Sequence, residues 1–136
     1  MKKISLLILW FLTIWVSSNS QSSLNTTLIG HWPYSPCKVV QESGDLVVAG
    51  SGCVLFVIDK GNPFAPIVLD ELHLSGVIED IKIIGEYAYV ANGFEGLKIV
   101  NISNPSSIYE IGNLNCVGNI VSVDIISEYA YIVLRE

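Results

Sequence analysis

The sequence predicts an all-β chain, assembled from β-propeller blades of four antiparallel strands and incomplete at about two and a half blades. Three observations predict it: the chain repeats itself at a spacing of 42 residues, each copy divides into four short segments of alternating character, and the divisions fall on residues that turn a backbone.

The repeat is read by sliding the sequence along itself. Glu86-Tyr87-Ala88-Tyr89 recurs as Glu128-Tyr129-Ala130-Tyr131, and the same register carries Val48-Ala49 onto Val90-Ala91, Leu55 onto Leu97 and Asn62-Pro63 onto Asn104-Pro105. It continues through Leu72 onto Leu114, Gly76 onto Gly118 and Ile83-Ile84 onto Ile125-Ile126. One register accounts for all of them.

Within the second copy the spacing predicts strands over Ile78 to Ile84, Tyr87 to Ala91, Leu97 to Ile102 and Ile108 to Leu114. Leu97 and Ile99 face one way and Lys98 the other, while Ile81 and Ile83 flank Lys82, the period-2 pattern of half-buried strands. Breaks fall at Gly85-Glu86, Asn92-Gly93 and Ser103-Asn104-Pro105-Ser106. Asn-Gly tolerates the positive φ of a tight hairpin, and proline lacks the N–H that a central strand must donate. Four strands in about 42 residues fit a propeller blade. Leucine-rich repeats have a shorter period, and a β-sandwich has no reason to reuse Asn-Pro at a fixed spacing.

The first twenty residues differ in kind. Lys2 and Lys3, an apolar run from Ile4 to Val16, and the small polar Ser17-Ser18-Asn19-Ser20 form the three-part pattern of a secretory signal peptide that leaves Gln21 first. The run is shorter than the roughly 20 residues of a membrane-spanning helix. The expected organisation is a signal peptide at 1–20, an N-terminal extension at 21–33, blades at 34–75 and 76–117, and a partial third blade at 118–136. Without the signal, 5 Lys and Arg face 13 Asp and Glu, a formal charge of −8 against −6 for the whole chain. Such a chain is repelled by phosphate backbones, and its cations are scattered, so no nucleic-acid partner is expected. The membrane partner is the export machinery that a signal peptide addresses. Cys37, Cys53 and Cys116 each sit beside strand-like residues and are expected to be buried small hydrophobes, a Cys37–Cys53 disulfide being the alternative.

Gly96-Leu97-Lys98-Ile99-Val100-Asn101-Ile102-Ser103-Asn104-Pro105, preceded by Ala88-Tyr89-Val90-Ala91, resembles the LVIVD repeat of bacterial and archaeal cell-surface proteins. The resemblance implies a four-stranded propeller blade. Val54-Leu55-Phe56-Val57-Ile58-Asp59 with Asn62-Pro63 keeps the aspartate that ends the family's strand, where the second copy has Asn101; either side chain bonds the following turn. The first copy departs with Leu46-Val47-Val48 where Ala-Tyr-Val is expected.

Candidate chemistry is sparse. Glu79-Asp80 and Asp70-Glu71 are paired carboxylates, but adjacent strand residues point to opposite faces, so neither pair converges by itself and no catalytic residue is assigned. Lys38, Asp80 and Ser122 fall at equivalent places of three copies on the strands that would line a propeller channel, and are the candidate channel-lining residues. His31 and His73 lack a second ligand nearby, so no metal or other cofactor is expected. Tyr87, Tyr89, Tyr129 and Tyr131 recur with the repeat and are expected to pack between blades. Asn25-Thr26-Thr27 and Asn101-Ile102-Ser103 match the glycosylation acceptor pattern.

The expected function is an exported binding or scaffolding module, secreted or at the cell surface, for a protein or carbohydrate ligand and not itself an enzyme. The competing class is a piece of a propeller enzyme acting on glycans, its catalytic residues in further blades. The smallest propellers have about four blades, or roughly 168 residues at this period. An incomplete propeller that self-associates is therefore expected.

Overall fold

The computed structural model describes residues 36–135, and the expected signal peptide, the N-terminal extension, His31 and Asn25 lie outside them. The described chain forms three antiparallel meanders. The first comprises β1 (Cys37–Ser43), β2 (Leu46–Ser51), β3 (Val54–Asp59) and β4 (Ile67–His73). The second comprises β5 (Asp80–Ile84), β6 (Tyr87–Ala91), β7 (Leu97–Asn101) and β8 (Tyr109–Leu114), and the third β9 (Asn119–Ile126) and β10 (Tyr129–Arg135). The inner strands β1, β5 and β9 lie side by side, so the sheets follow one another as propeller blades, unclosed among the described residues.

Local chemistry repeats with the sheets. The three inner hairpins close at Ser43/Leu46, Ile84/Tyr87 and Ile126/Tyr129 around a first turn residue with positive φ: Gly44 at 60°, Gly85 at 58° and Ser127 at 57°. The Asn-Pro turns are side-chain-driven in both copies. The Oδ1 of Asn62 accepts the Phe64 amide at 3.1 Å, and that of Asn104 accepts the Ser106 amide at 3.2 Å. Asp59 Oδ1 accepts the Gly61 amide at 2.7 Å and Asn101 Oδ1 the Ser103 amide at 2.9 Å, so the Asp-to-Asn change keeps one bond in one place. Bulges also repeat, between Val57 and Ile58 and between Ile99 and Val100.

Packing corrects the half-buried expectation, because the central strands of the second sheet are buried on both faces. Ala88, Val90 and Val100 join Val48, Leu55 and Val57 of the first sheet in one core. Tyr89, Ala91 and Leu97 turn the other way and meet Ile120 and Val123 of the third sheet. Alternation along β6 thus feeds two cores in turn. Lys98 belongs to the inward set despite its charge; it is only 7% exposed, with Glu110 at 3.6 Å.

The same packing corrects the register. Counted from the hairpin closures, Val48 matches Tyr89 rather than Val90, an offset of 41, while Asp59 and Asn101 keep 42. The compensating residue lies in the next connection, where Ser51 and Val54 close a two-residue turn but Ala91 and Leu97 enclose five residues. A one-residue slip flips every side chain of a strand, which is why Val48 faces the following sheet and Val90 the preceding one. The cysteines are corrected too: Cys37 and Cys53 are exposed, Cys116 is half-buried, and all three are free.

Candidate functional site

The three inner strands touch at corresponding positions, and there the copies carry complementary rather than identical groups. Counting back from the hairpin closures aligns Lys38 with Glu79, Val39 with Asp80 and Ser122, and Lys82 with Asp124. Lys38 Nζ pairs with a carboxylate oxygen of Glu79. The Ser122 hydroxyl donates to Asp80 Oδ2 at 2.6 Å, and Lys82 Nζ reaches Asp124 Oδ1 at 2.7 Å. Lys82 and the Ile125 amide hold the Asp124 carboxyl below its ordinary pKa. Of the three predicted channel residues, the structure brings Asp80 and Ser122 together and sends Lys38 to the neighbouring Glu79.

Asp80 is committed to structure. Oδ1 accepts the Ile81 amide at 2.9 Å, and Oδ2 takes the Ser122 hydroxyl and also the Val123 amide at 3.0 Å. Asp70 repeats this arrangement between the outer strands, with Oδ1 accepting the Glu71 amide at 2.9 Å and Oδ2 the Ile108 amide at 2.7 Å of the next sheet. Both carboxylates bridge one blade to the next. A carboxylate whose oxygens already accept two or three bonds from fixed donors has little free capacity to engage a substrate.

Beside the Lys38–Glu79 pair, at the start of β5 and β9, lies a cavity of about 290 Å³. Gly76, Val77 and Glu79 of the β4–β5 connection form one wall, and Gly93, Phe94 and Glu95 of the β6–β7 loop the other, with Asn119 at the boundary with the third sheet. The loop is pinned from beneath by Asn92, which is fully buried. Oriented to satisfy both groups, its carboxamide donates to Gly76 O at 2.7 Å and accepts the Gly76 amide at 3.1 Å. The Asn92 amide donates to Gly96 O at 2.9 Å, and the Ile120 amide to Gly93 O at 3.0 Å. Gly93 and Gly96 take the left-handed φ values of 63° and 86° that this path demands. Phe94 stands at the tip, 77% exposed, and Glu95 beside it is exposed with no ion pair among the described residues.

Sequence reasoning took Asn92-Gly93 for a tight hairpin and passed over Phe94 and Glu95. The available signal was an aromatic and a carboxylate held between two glycines, at the point where the second copy is one residue longer than the first. The tyrosines divide. Tyr89 packs between the second and third sheets, whereas Tyr87, Tyr129 and Tyr131 are exposed, Tyr87 and Tyr129 following the inner hairpin turns on the opposite rim. His73 is exposed at 3.6 Å from Glu71, and Asn101 is half-buried at the end of β7 with Oδ1 also accepting the Ser103 hydroxyl at 2.6 Å.

The LVIVD repeat matches residues 75–116, a span that covers the second sheet and the connection forming one wall of the cavity. No curated protein matches the chain.

Proposed function

We propose, from the LVIVD repeat that this chain carries at residues 75–116, that it is an exported binding or scaffolding module which recognises its ligand with the rim bearing Phe94 and Glu95. The observation that carries the reading is the exposed Phe94 on a loop fixed by a buried asparagine. An aromatic ring left in water on a slack loop means little; on a pinned loop above a cavity it is the kind of anchor that binding surfaces use. Asp80 and Asp70, the best carboxylate candidates for catalysis, are both occupied in joining blades. The three-part N-terminus, with Gln21 as the first residue after cleavage, supports the exported location.

The test places a photoreactive phenylalanine at position 94 or, as the control, at Val117, which is 99% exposed on the connection before β9. Living cells of the native host are irradiated, and the N-terminus of the recovered chain is sequenced. The reading expects a chain beginning at Gln21 outside the cytoplasm and adducts from position 94 but not from 117. A chain retained inside the cell with its first twenty residues attached, or equal adducts from both positions, would contradict it.

A further inference from the structure

We infer that the cavity at the β4–β5 connection receives a basic side chain, lysine or arginine, presented by a partner protein. The inference rests on the binding-module reading and adds the chemistry of what is bound.

Charge sets the sign. All four described lysines already have carboxylate partners in the chain: Lys38 with Glu79, Lys60 with Glu42, Lys82 with Asp124 and Lys98 with Glu110. At the cavity Lys38 neutralises Glu79, which leaves Glu95 as the uncompensated charge on the wall. The whole chain carries a formal −6, so its field favours cations at this carboxylate and disfavours anions.

Shape and lining set the rest. About 290 Å³ admits one long side chain but not a folded element. Val77 and Phe94 line it together with Glu95, so the wall supplies apolar surface for an aliphatic stem and one carboxylate for its cationic head. A cation on an apolar stem satisfies an aromatic side chain and an unpaired carboxylate together, which describes lysine and arginine and disfavours carboxylic acids, whose charge Glu95 repels. The loop needs no rearrangement for this, because Asn92, Gly93 and Gly96 already hold its path.

The test follows the amide resonances of Gly93 to Gly96 in the isotopically labelled chain while Nα-acetyl-lysine amide is added, with the uncharged isostere Nα-acetyl-norleucine amide as comparison. The lysine probe is expected to shift these resonances saturably and to bind about tenfold more tightly than the norleucine probe, the combined contribution of one cation–π contact and one exposed ion pair. Glu95→Gln, an exposed substitution that leaves the fold alone, should remove most of that difference, and Glu71→Gln on β4 should leave it unchanged. Equal binding of the two probes would overturn the inference, because the cavity would then be merely apolar. No shift with either probe would also overturn it, and if position 94 still cross-links in cells, the binding module stands with a partner of different chemistry.

Discussion

At the residue scale, the positions that break the repeat are the ones that hold it together. Identical residues at touching places of neighbouring copies would set lysine against lysine or carboxylate against carboxylate, so Lys38 meets Glu79 and Lys82 meets Asp124. Repetition was legible because the turns act within one copy and the core positions between copies stay apolar in each; the polar contacts between copies were not, because they depend on which places differ. Lys38 was grouped with Asp80 and Ser122 for that reason, one residue away from Val39, which holds the matching place. Two predictions belong here. Ser127 stands where the first two hairpins have glycine and has a φ of 57°, so Ser127→Gly should stabilise the fold by about 1 kcal/mol in denaturant melts. The Asp124 carboxyl, lowered by its hydrogen bond from Lys82, and Glu42, lowered chiefly by Lys60, stabilise the folded state above their unfolded pKa values. That contribution is lost as pH falls through the depressed values, so thermal stability should decline with acid below about pH 4, and Asp124→Asn should flatten part of the decline.

At the scale of elements, the strands of the second sheet were legible to within two residues at each end, since period-2 alternation and Asn-Pro turns act locally. The β6–β7 loop was not, because its shape is dictated by a partner distant in sequence: Asn92 reaches back to Gly76, and Gly96 approaches the Leu114 carbonyl so closely that a Cβ would sit 2.2 Å from the oxygen. No window around Asn92-Gly93 contains either constraint. Asn92→Ala should therefore cost about 2–3 kcal/mol, since it removes both hydrogen bonds to the half-buried Gly76 backbone and empties a fully buried site. The same variant should broaden the Phe94 and Glu95 resonances, while Phe94→Ala should leave the melting temperature within about 2 °C of the parent. A loop that kept its resonances in Asn92→Ala would mean that the pinning lies elsewhere.

At the scale of the whole molecule, the sheets form one stack with a shared core at each junction, so stability is built from neighbour contacts as in other repeat arrays. Among the described residues β10 pairs only with β9, and Tyr129, Tyr131 and Val133 along it are exposed. An open strand edge with apolar neighbours is a template for pairing. We propose that the chain self-associates: light scattering should give a mass of at least two copies, and Tyr131→Lys with Val133→Lys should return it to one. The central claim, that Asp80 and Ser122 join one blade to the next, is tested most directly by a double-mutant cycle on the two residues. Asp80→Ala, Ser122→Ala and the double variant are compared by chemical unfolding. A coupling of about 1–2 kcal/mol, with the double variant barely less stable than Asp80→Ala, is the predicted result. Single-variant effects that add to within about 0.5 kcal/mol would contradict the account, since residues that do not join the blades have no reason to share their energy.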